Sequence, residues 1–147
     1  MPEAETLSRA KKDKREGKAA STQAGEFVRE EIEHIREGKH GARSAKQAIA
    51  IGLSKARRAG VKLPPPEKGT ASKETREQAA RDLSNAKSPA KKKSAKRSRA
   101  MSRVLKREGS SAASKKALSR HARSAAAKRS AASRSRSAKK AAQTRKK

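Results

Sequence analysis

The chain has 147 residues, and its 42 Lys and Arg against 14 Asp and Glu give a formal net charge of +28. Only 31% of the residues are hydrophobic, one is aromatic and none is cysteine. This composition excludes disulfides and thiolate metal sites, leaves too little apolar surface for a large core, and favours partners dense in negative charge.

The sequence contains neither a secretory signal nor a membrane-spanning segment. The first residues are charged and lack the apolar run of a secretory signal. No stretch approaches the roughly 20 apolar residues that a membrane span needs. We therefore expect a cytoplasmic protein with no membrane partner.

The positive charge is concentrated at the C-terminal end. Residues 1–66 hold 15 Lys and Arg against 9 acidic residues, and residues 67–82 hold 4 of each. Residues 83–147 hold 23 against the single Glu108. This asymmetry predicts a small head followed by a basic tail.

Two segments precede the proline run in chain order. Residues 1–23 are a polar arm with a frayed helix. Residues 24–37 place Val28, Ile32 and Ile35 at helical spacing, and a glycine follows directly. The glutamates of this helix predict a solvated acidic face opposite a basic second helix.

The second helix of the head has the clearest boundaries. Ser44 and Gln47 form a capping box, which predicts a helix that begins at Ala45. Gly60 suits the left-handed position after the last turn, and prolines 64–66 end the unit. Residues 24–66 are thus predicted to be a helix-loop-helix head. Because its apolar side chains are few, a third helix, self-association or a protein partner is needed to cover it.

The remaining chain is less patterned. Residues 67–87 form a neutral spacer with a helix predicted over residues 72–86, and residues 88–147 are a low-complexity tail of Lys, Arg, Ser and Ala. We expect this tail to be mostly coil when free and helical once its charges are neutralised. The predicted fold class is all-α: a small helical hairpin head with a long, largely disordered or conditionally helical basic tail.

Catalytic and metal-binding patterns are missing from the sequence. The two aspartates lie in unrelated segments, and His34, His40 and His121 have no ligand set at helical spacing. The sequence therefore predicts no enzyme, no metal, no cofactor and no small-molecule substrate.

Two regions are candidates for binding nucleic acid. Cations of the loop before the second helix surround free backbone N–H groups that favour a phosphate. The tail cations would neutralise a phosphate backbone, and the tail has no aromatic residue for base stacking. A helix-turn-helix is the rival interpretation of the head, but its connection GKHGAR is longer than usual. The candidate residues are Lys39, His40, Arg43, Lys46, Arg57, Arg58, Lys91, Lys92, Lys93, Lys96, Arg97, Arg99, Lys115, Lys116, Arg120, Arg123, Lys128, Arg129, Lys139 and Lys140.

Two resemblances add to these patterns. The stretch KHGARSAKQAIAIGLSKARRAGVKLP resembles a small bacterial domain family of unknown function, with a KHG loop and a KQAIAIGLSxARRAG helix. Some members are labelled plasmid stabilisation or DNA-binding protein, and the likeness covers about residues 24–66. The tail resembles linker-histone and bacterial histone-like tails, which implies coating of DNA.

These observations predict a non-enzymatic, histone-like protein, nucleoid- or plasmid-associated, that binds DNA without sequence preference. A first alternative is an RNA-binding or ribosome-associated protein. A second is a plasmid stabilisation accessory whose head binds a protein partner, and the head is also a candidate for homodimer formation.

Overall fold

The computed structural model describes residues 1–86 and 94–146, and this part of the chain is all-helical, as the sequence predicts. A 3-10 turn, Ser111–Ala113, precedes the sixth helix. The seven helices of the described residues are α1 (Ala4–Arg15), α2 (Ala20–Arg36), α3 (Ala45–Arg58), α4 (Lys73–Asn85), α5 (Ala95–Arg107), α6 (Lys115–Ala127) and α7 (Ala131–Arg145).

Helices α2 and α3 form the predicted antiparallel hairpin. The Ser44 Oγ accepts a hydrogen bond from the backbone N–H of Gln47 (3.2 Å), and the Gln47 side chain accepts one from the backbone N–H of Arg43 (2.8 Å). The two helices approach closely at Gly52, where an added Cβ would lie 2.7 Å from the Cα of Val28. A side chain at Gly52 would therefore push the hairpin apart.

Helix α1 covers one side of this hairpin. Ala10 of α1 is buried together with Phe27 of α2 and Val61 after α3, and Leu7 packs against the same cluster. Helix α2 begins at Ala20 rather than at residue 24, so its first turn also joins this contact. The polar arm thus supplies a helix that the head needs, because two amphipathic helices alone leave an apolar side open to water.

The tail covers the other side, and it is not the mostly disordered segment that we expected. The buried Ala112 and Ala113 pack with Ile32 and Ile35 of α2, and Leu118 of α6 lies against the same cluster. The Arg36 guanidinium donates a hydrogen bond to the Ala113 carbonyl oxygen (3.0 Å). The low apolar content was misleading because alanines, with their small side chains, bury completely where two backbones come close.

Local sequence explains why the tail is helical. Each of its three helices begins at a serine whose Oγ accepts a backbone N–H: Ser94, Ser114 and Ser130. Serine is a preferred N-cap, and alanine, lysine and arginine are good helix formers. A serine followed by a run of these helix-forming residues therefore favours a capped helix, even in a low-complexity segment.

The KHG loop holds the tail against the head. The backbone N–H of Gly41 donates to the Leu105 carbonyl oxygen (2.8 Å), and that of Ala42 donates to the Gly109 carbonyl oxygen (3.2 Å). An added Cβ at Gly41 would lie only 1.9 Å from the carbonyl oxygen of Glu108. Glycine is thus required here by a close backbone approach.

Candidate nucleic-acid interface

The exposed cations lie mainly in the tail. Residues 94–146 contain 18 Lys and Arg against the single Glu108, a net charge of +17. The side chains of all 18 are exposed. Glu108 is paired with the head, at 3.8 Å from the Arg43 Nε, and within the described residues no Lys or Arg of 94–146 forms an ion pair. These charges are therefore available to an external anion.

Helix α5 presents a continuous basic face. Its members follow one another at three- or four-residue spacing up to Lys106, and Arg107 lies four residues after Arg103. They therefore lie on one side of the helix, at about one cation per 4 Å of axis. That spacing is close to the roughly 3.4 Å per phosphate along one strand of duplex DNA. The residues of this α5 basic face are Lys96, Arg99, Arg103, Lys106 and Arg107.

The opposite side of α5 is apolar and open to solvent. Met101 and Val104 are 59% and 47% exposed, which is unusual for large apolar side chains. Arg97 lies on this side rather than on the basic face, because it is seven residues from Val104 and four from Met101. Helix α5 is thus amphipathic.

Helix α6 turns its basic side outward. Lys116, Arg120 and Arg123 follow i, i+4, i+7 spacing, and Leu118 packs inward against the head. Lys115 begins the same helix. The outward side of α6 therefore carries a second basic strip.

Helix α7 carries cations all around its axis, Lys139 and Lys140 among them. Between α6 and α7, Lys128 is exposed, and the Arg129 guanidinium donates a hydrogen bond to the backbone oxygen of Ser133 (3.1 Å). This region offers charge without a preferred face.

The loop before α3 is only partly available. Lys39 lies 3.0 Å from a Glu37 carboxylate oxygen and 3.3 Å from one of Glu3. His40 faces the Glu31 carboxylate. Arg43 has a side chain 78% exposed, and Lys46 is exposed with no ion pair among the residues described. Of the four loop candidates, Lys46 remains free for a phosphate, and Arg43 remains accessible beside its long contact with Glu108.

Arg57 faces the interior, unlike the other predicted contact residues that the structure describes. It is 5% exposed, and its guanidinium donates to the carbonyl oxygens of Leu63 and Pro64, both at 3.1 Å. Burial lowers the pKa of Arg57, and the nearby Asp82 opposes that shift. Its role is to hold the proline run against α3. Arg58 is partly exposed, with its Nε 3.7 Å from Asp82.

Some predicted residues are not described, and some exposed cations were not predicted. Lys91, Lys92 and Lys93 lie outside the described residues. On α5, the helical spacing from Lys96 and Arg99 would have identified the missing members of the basic face. The unpredicted cations are Arg103, Lys106, Arg107, Arg134, Arg136, Arg145 and Lys146.

The structure also assembles a cluster of side chains that the sequence did not predict. Glu31, His34 and His40 bring one ligand atom each within 4.8 Å of one another. The expectation that the histidines lack a ligand set is wrong for His34 and His40, because the loop folds back onto α2. His121 lies apart from them on α6.

The glutamates of α2 do not all form a solvated face. Glu30 and Glu31 are 2% and 1% exposed, and the Lys55 ammonium of α3 lies 3.5 Å and 2.5 Å from their carboxylates. Burial raises the pKa of Glu30, but hydrogen bonds from Glu3 and Thr6 and the charge of Lys55 outweigh it, so the pKa is lowered. The prediction that this acidic side faces the basic helix holds for these two residues.

The described residues thus define an all-helical protein with a compact head and an exposed basic tail, and none of their helices is long and apolar enough to cross a membrane. Residues 5–68 match the model of a family described as a family of unknown function (DUF6496). The match extends over α1 to α3 and agrees with a small uncharacterised domain. Comparison with curated proteins and with solved structures finds no match.

Proposed function

We propose that the protein binds DNA through the phosphate backbone, without reading base sequence, and that it acts as a histone-like protein. The observation that carries this proposal is the set of 18 exposed tail cations with no ion pair among the described residues. Cations without an internal ion pair lose no salt bridge when they bind phosphate, and binding releases counterions from the nucleic acid.

Sequence-tolerant binding follows from the side chains available. The sole aromatic residue, Phe27, is 1% exposed and lies in the head core. Stacking on bases, which single-strand binders use, therefore has no platform. Lysine and arginine on exposed helices reach phosphates in many registers, and phosphate contacts carry no base information.

The head contributes a scaffold in this proposal. It fixes the 3-10 turn through the buried Ala112 and Ala113 and α6 through Leu118, and it holds the end of α5 through Gly41. Arg43 and Lys46 extend the basic surface from the head side. Association with a nucleoid or a plasmid is part of the same proposal.

The choice of DNA over RNA rests on the likeness of the tail to histone-like tails, and it is tested by competition. The full chain is titrated onto a labelled 30-base-pair DNA duplex near 50 mM salt, and duplex RNA of the same sequence competes. We expect DNA to be bound in preference. If the chain prefers RNA, the protein is an RNA-binding protein instead. If it binds neither, the proposal is refuted.

A charge-matched pair of variants locates the interface. The first, Arg99→Gln, Arg103→Gln and Lys106→Gln, removes three charges from the α5 basic face. The control removes three from exposed α1 cations that have no ion pair within the described residues: Lys11→Gln, Lys14→Gln and Arg15→Gln. We expect the α5 variant to weaken DNA binding about tenfold or more and the control to weaken it far less. Equal losses would contradict an interface on α5.

A further inference from the structure

One group of metal-binding side chains stands out where the KHG loop folds back onto α2. Glu31 and His34 are three residues apart on one side of α2, and His40 comes from the loop. The loop is held in place by its backbone hydrogen bonds to Leu105 and Gly109. The three ligand atoms therefore meet in a position that the fold itself determines.

Glu31 is a buried carboxylate with an incomplete set of partners. It is 1% exposed, its Oε1 lies 3.0 Å from the His40 Nε2, and its Oε2 accepts no hydrogen bond. The Lys55 ammonium lies 2.5 Å from Oε2 and supplies charge, although not in hydrogen-bonding geometry. A carboxylate buried to this degree normally has its acceptor positions filled, because an unfilled one is costly.

The hydrogen bonding of His40 points to a cation at its other nitrogen. Its Nδ1 lies 3.1 Å from the Gly41 carbonyl oxygen, which can only accept, so Nδ1 must carry a hydrogen. In the neutral ring Nε2 then carries a lone pair, and this lone pair faces the Glu31 oxygen, which is also an acceptor. Either a proton or a metal ion must lie between them. A ring N–H donated to a backbone carbonyl is the usual support of a metal-binding histidine.

Glu3 lies beside His34, next to this group, and is the candidate for a fourth ligand. The His34 Nε2 lies 2.8 Å from the Glu3 Oε1. Two imidazole nitrogens and two carboxylate oxygens suit zinc, whose tetrahedral ligands lie about 3.3 Å apart at bond lengths near 2.0–2.1 Å. The Glu31–His40 and Glu3–His34 pairs need to separate by only a few tenths of an ångström. The ligand atoms of Glu31, His34 and His40 lie within 4.8 Å of one another and would move to equal spacing around the ion. Lys39, which also contacts Glu3, keeps its second partner Glu37.

We propose that Glu3, Glu31, His34 and His40 form a site for one divalent transition-metal ion, with Zn²⁺ as the best-suited ion. The ion would join the start of α1, the middle of α2 and the KHG loop. Because that loop also holds the tail, the bound ion stabilises the arrangement of the whole molecule. This site is independent of the nucleic-acid proposal and concerns the other face of the loop.

The test uses the full chain after treatment with a chelator. Zn²⁺ is titrated by calorimetry, and Co²⁺ is added separately because its visible absorption reports tetrahedral nitrogen and oxygen ligands. We expect one ion per chain, a higher melting temperature with Zn²⁺, and a loss of at least tenfold in affinity in His34→Gln and in His40→Gln. His121→Gln, the remaining histidine, is the matched control and should bind as the wild type does.

Circular dichroism without metal shows whether each variant folds. If His40→Gln does not fold, Glu3→Gln replaces it, because Glu3 is a more exposed ligand. A loss of affinity in folded His34→Gln or Glu3→Gln supports the site. A wild-type chain that takes up less than one Zn²⁺, or ligand variants that bind as tightly as the wild type, would refute it and leave a proton between His40 and Glu31. Dependence on His121 would also refute it.

Discussion

At the scale of single residues, the contact between head and tail depends on a glycine. Gly41 is where the backbone of the KHG loop meets the backbone of Glu108 and Gly109 with no space for a side chain. Its N–H is also the donor to Leu105. A side chain at position 41 would therefore also break the hydrogen bond between the loop and Leu105.

The variant Gly41→Ala tests this contact. We expect it to destabilise the protein by about 1–3 kcal/mol, as an overpacked site does, and to expose the Glu108 region to protease. Gly25→Ala is the matched control, because Gly25 lies inside α2 with open space around its Cβ position, and alanine should stabilise it by up to about 1 kcal/mol. Urea unfolding gives both free energies, and equal values for the two variants would contradict the proposed contact.

For single residues, the sequence predicts the charge of a side chain better than it predicts the contacts that the side chain makes. The exposure of the tail cations follows from their number, but the burial of Arg57 does not, because nothing in its local pattern shows that the proline run folds back over it. The meeting of Glu31 with His40 likewise depends on the path of a loop. Helical spacing relates residues on one helix only, so it cannot predict contacts between a loop and a helix.

At the scale of helices, the hairpin of α2 and α3 is joined by charge as well as by apolar packing. Lys55 of α3 contacts both buried glutamates of α2, and its single positive charge offsets part of their combined negative charge. Without it the two buried carboxylates would repel each other, and only Glu30 would keep the hydrogen bonds from Glu3 and Thr6 that offset its desolvation. One lysine thus determines whether this side of the hairpin can pack.

Lys55→Met should therefore destabilise the protein strongly. We expect a loss of about 3 kcal/mol or more in the free energy of unfolding, because the methionine keeps the volume but leaves two buried carboxylates without a cation. Lys46→Met, at an exposed position of the same helix, is the control and should change stability by less than about 0.5 kcal/mol. Thermal and urea unfolding measure both, and a small effect in Lys55→Met would show that Glu30 and Glu31 are not buried as ions.

Both boundaries of α3 follow from its sequence, whereas for α2 only the C-terminal boundary does, because Gly38 follows its last turn in the left-handed conformation. A serine and a glutamine mark the start of α3. Ser44 makes the expected capping contact, whereas the Gln47 side chain accepts from the N–H of Arg43, one residue before the cap. Helix α2 starts after Ala19, which has no side chain to act as a cap, so nothing in its sequence marks that end. Serine caps also mark the starts of α5, α6 and α7. The prediction of a mostly disordered tail rested on composition and did not use these caps.

At the scale of the whole molecule, opposite charges are distributed unevenly. Most acidic side chains lie in residues 1–66, where they pair with cations of the same region, such as Arg9 with Glu26 (2.6 Å) and Lys18 with Asp13 (2.7 Å). The tail retains its charge. The basic tail and the all-α class could be predicted from the sequence, but the docking of Ala112 and Ala113 could not, because alanines of a repetitive segment carry no pattern that specifies a partner.

The most direct test of the account is the dependence of DNA affinity on salt, measured for the full chain by anisotropy between about 50 and 300 mM. If about ten tail cations contact phosphates, log K should fall against log salt with a slope near −9, whatever the sequence of the duplex. A slope shallower than about −3, or an affinity that changes strongly with base sequence at constant salt, would contradict backbone binding by the exposed cations of the tail.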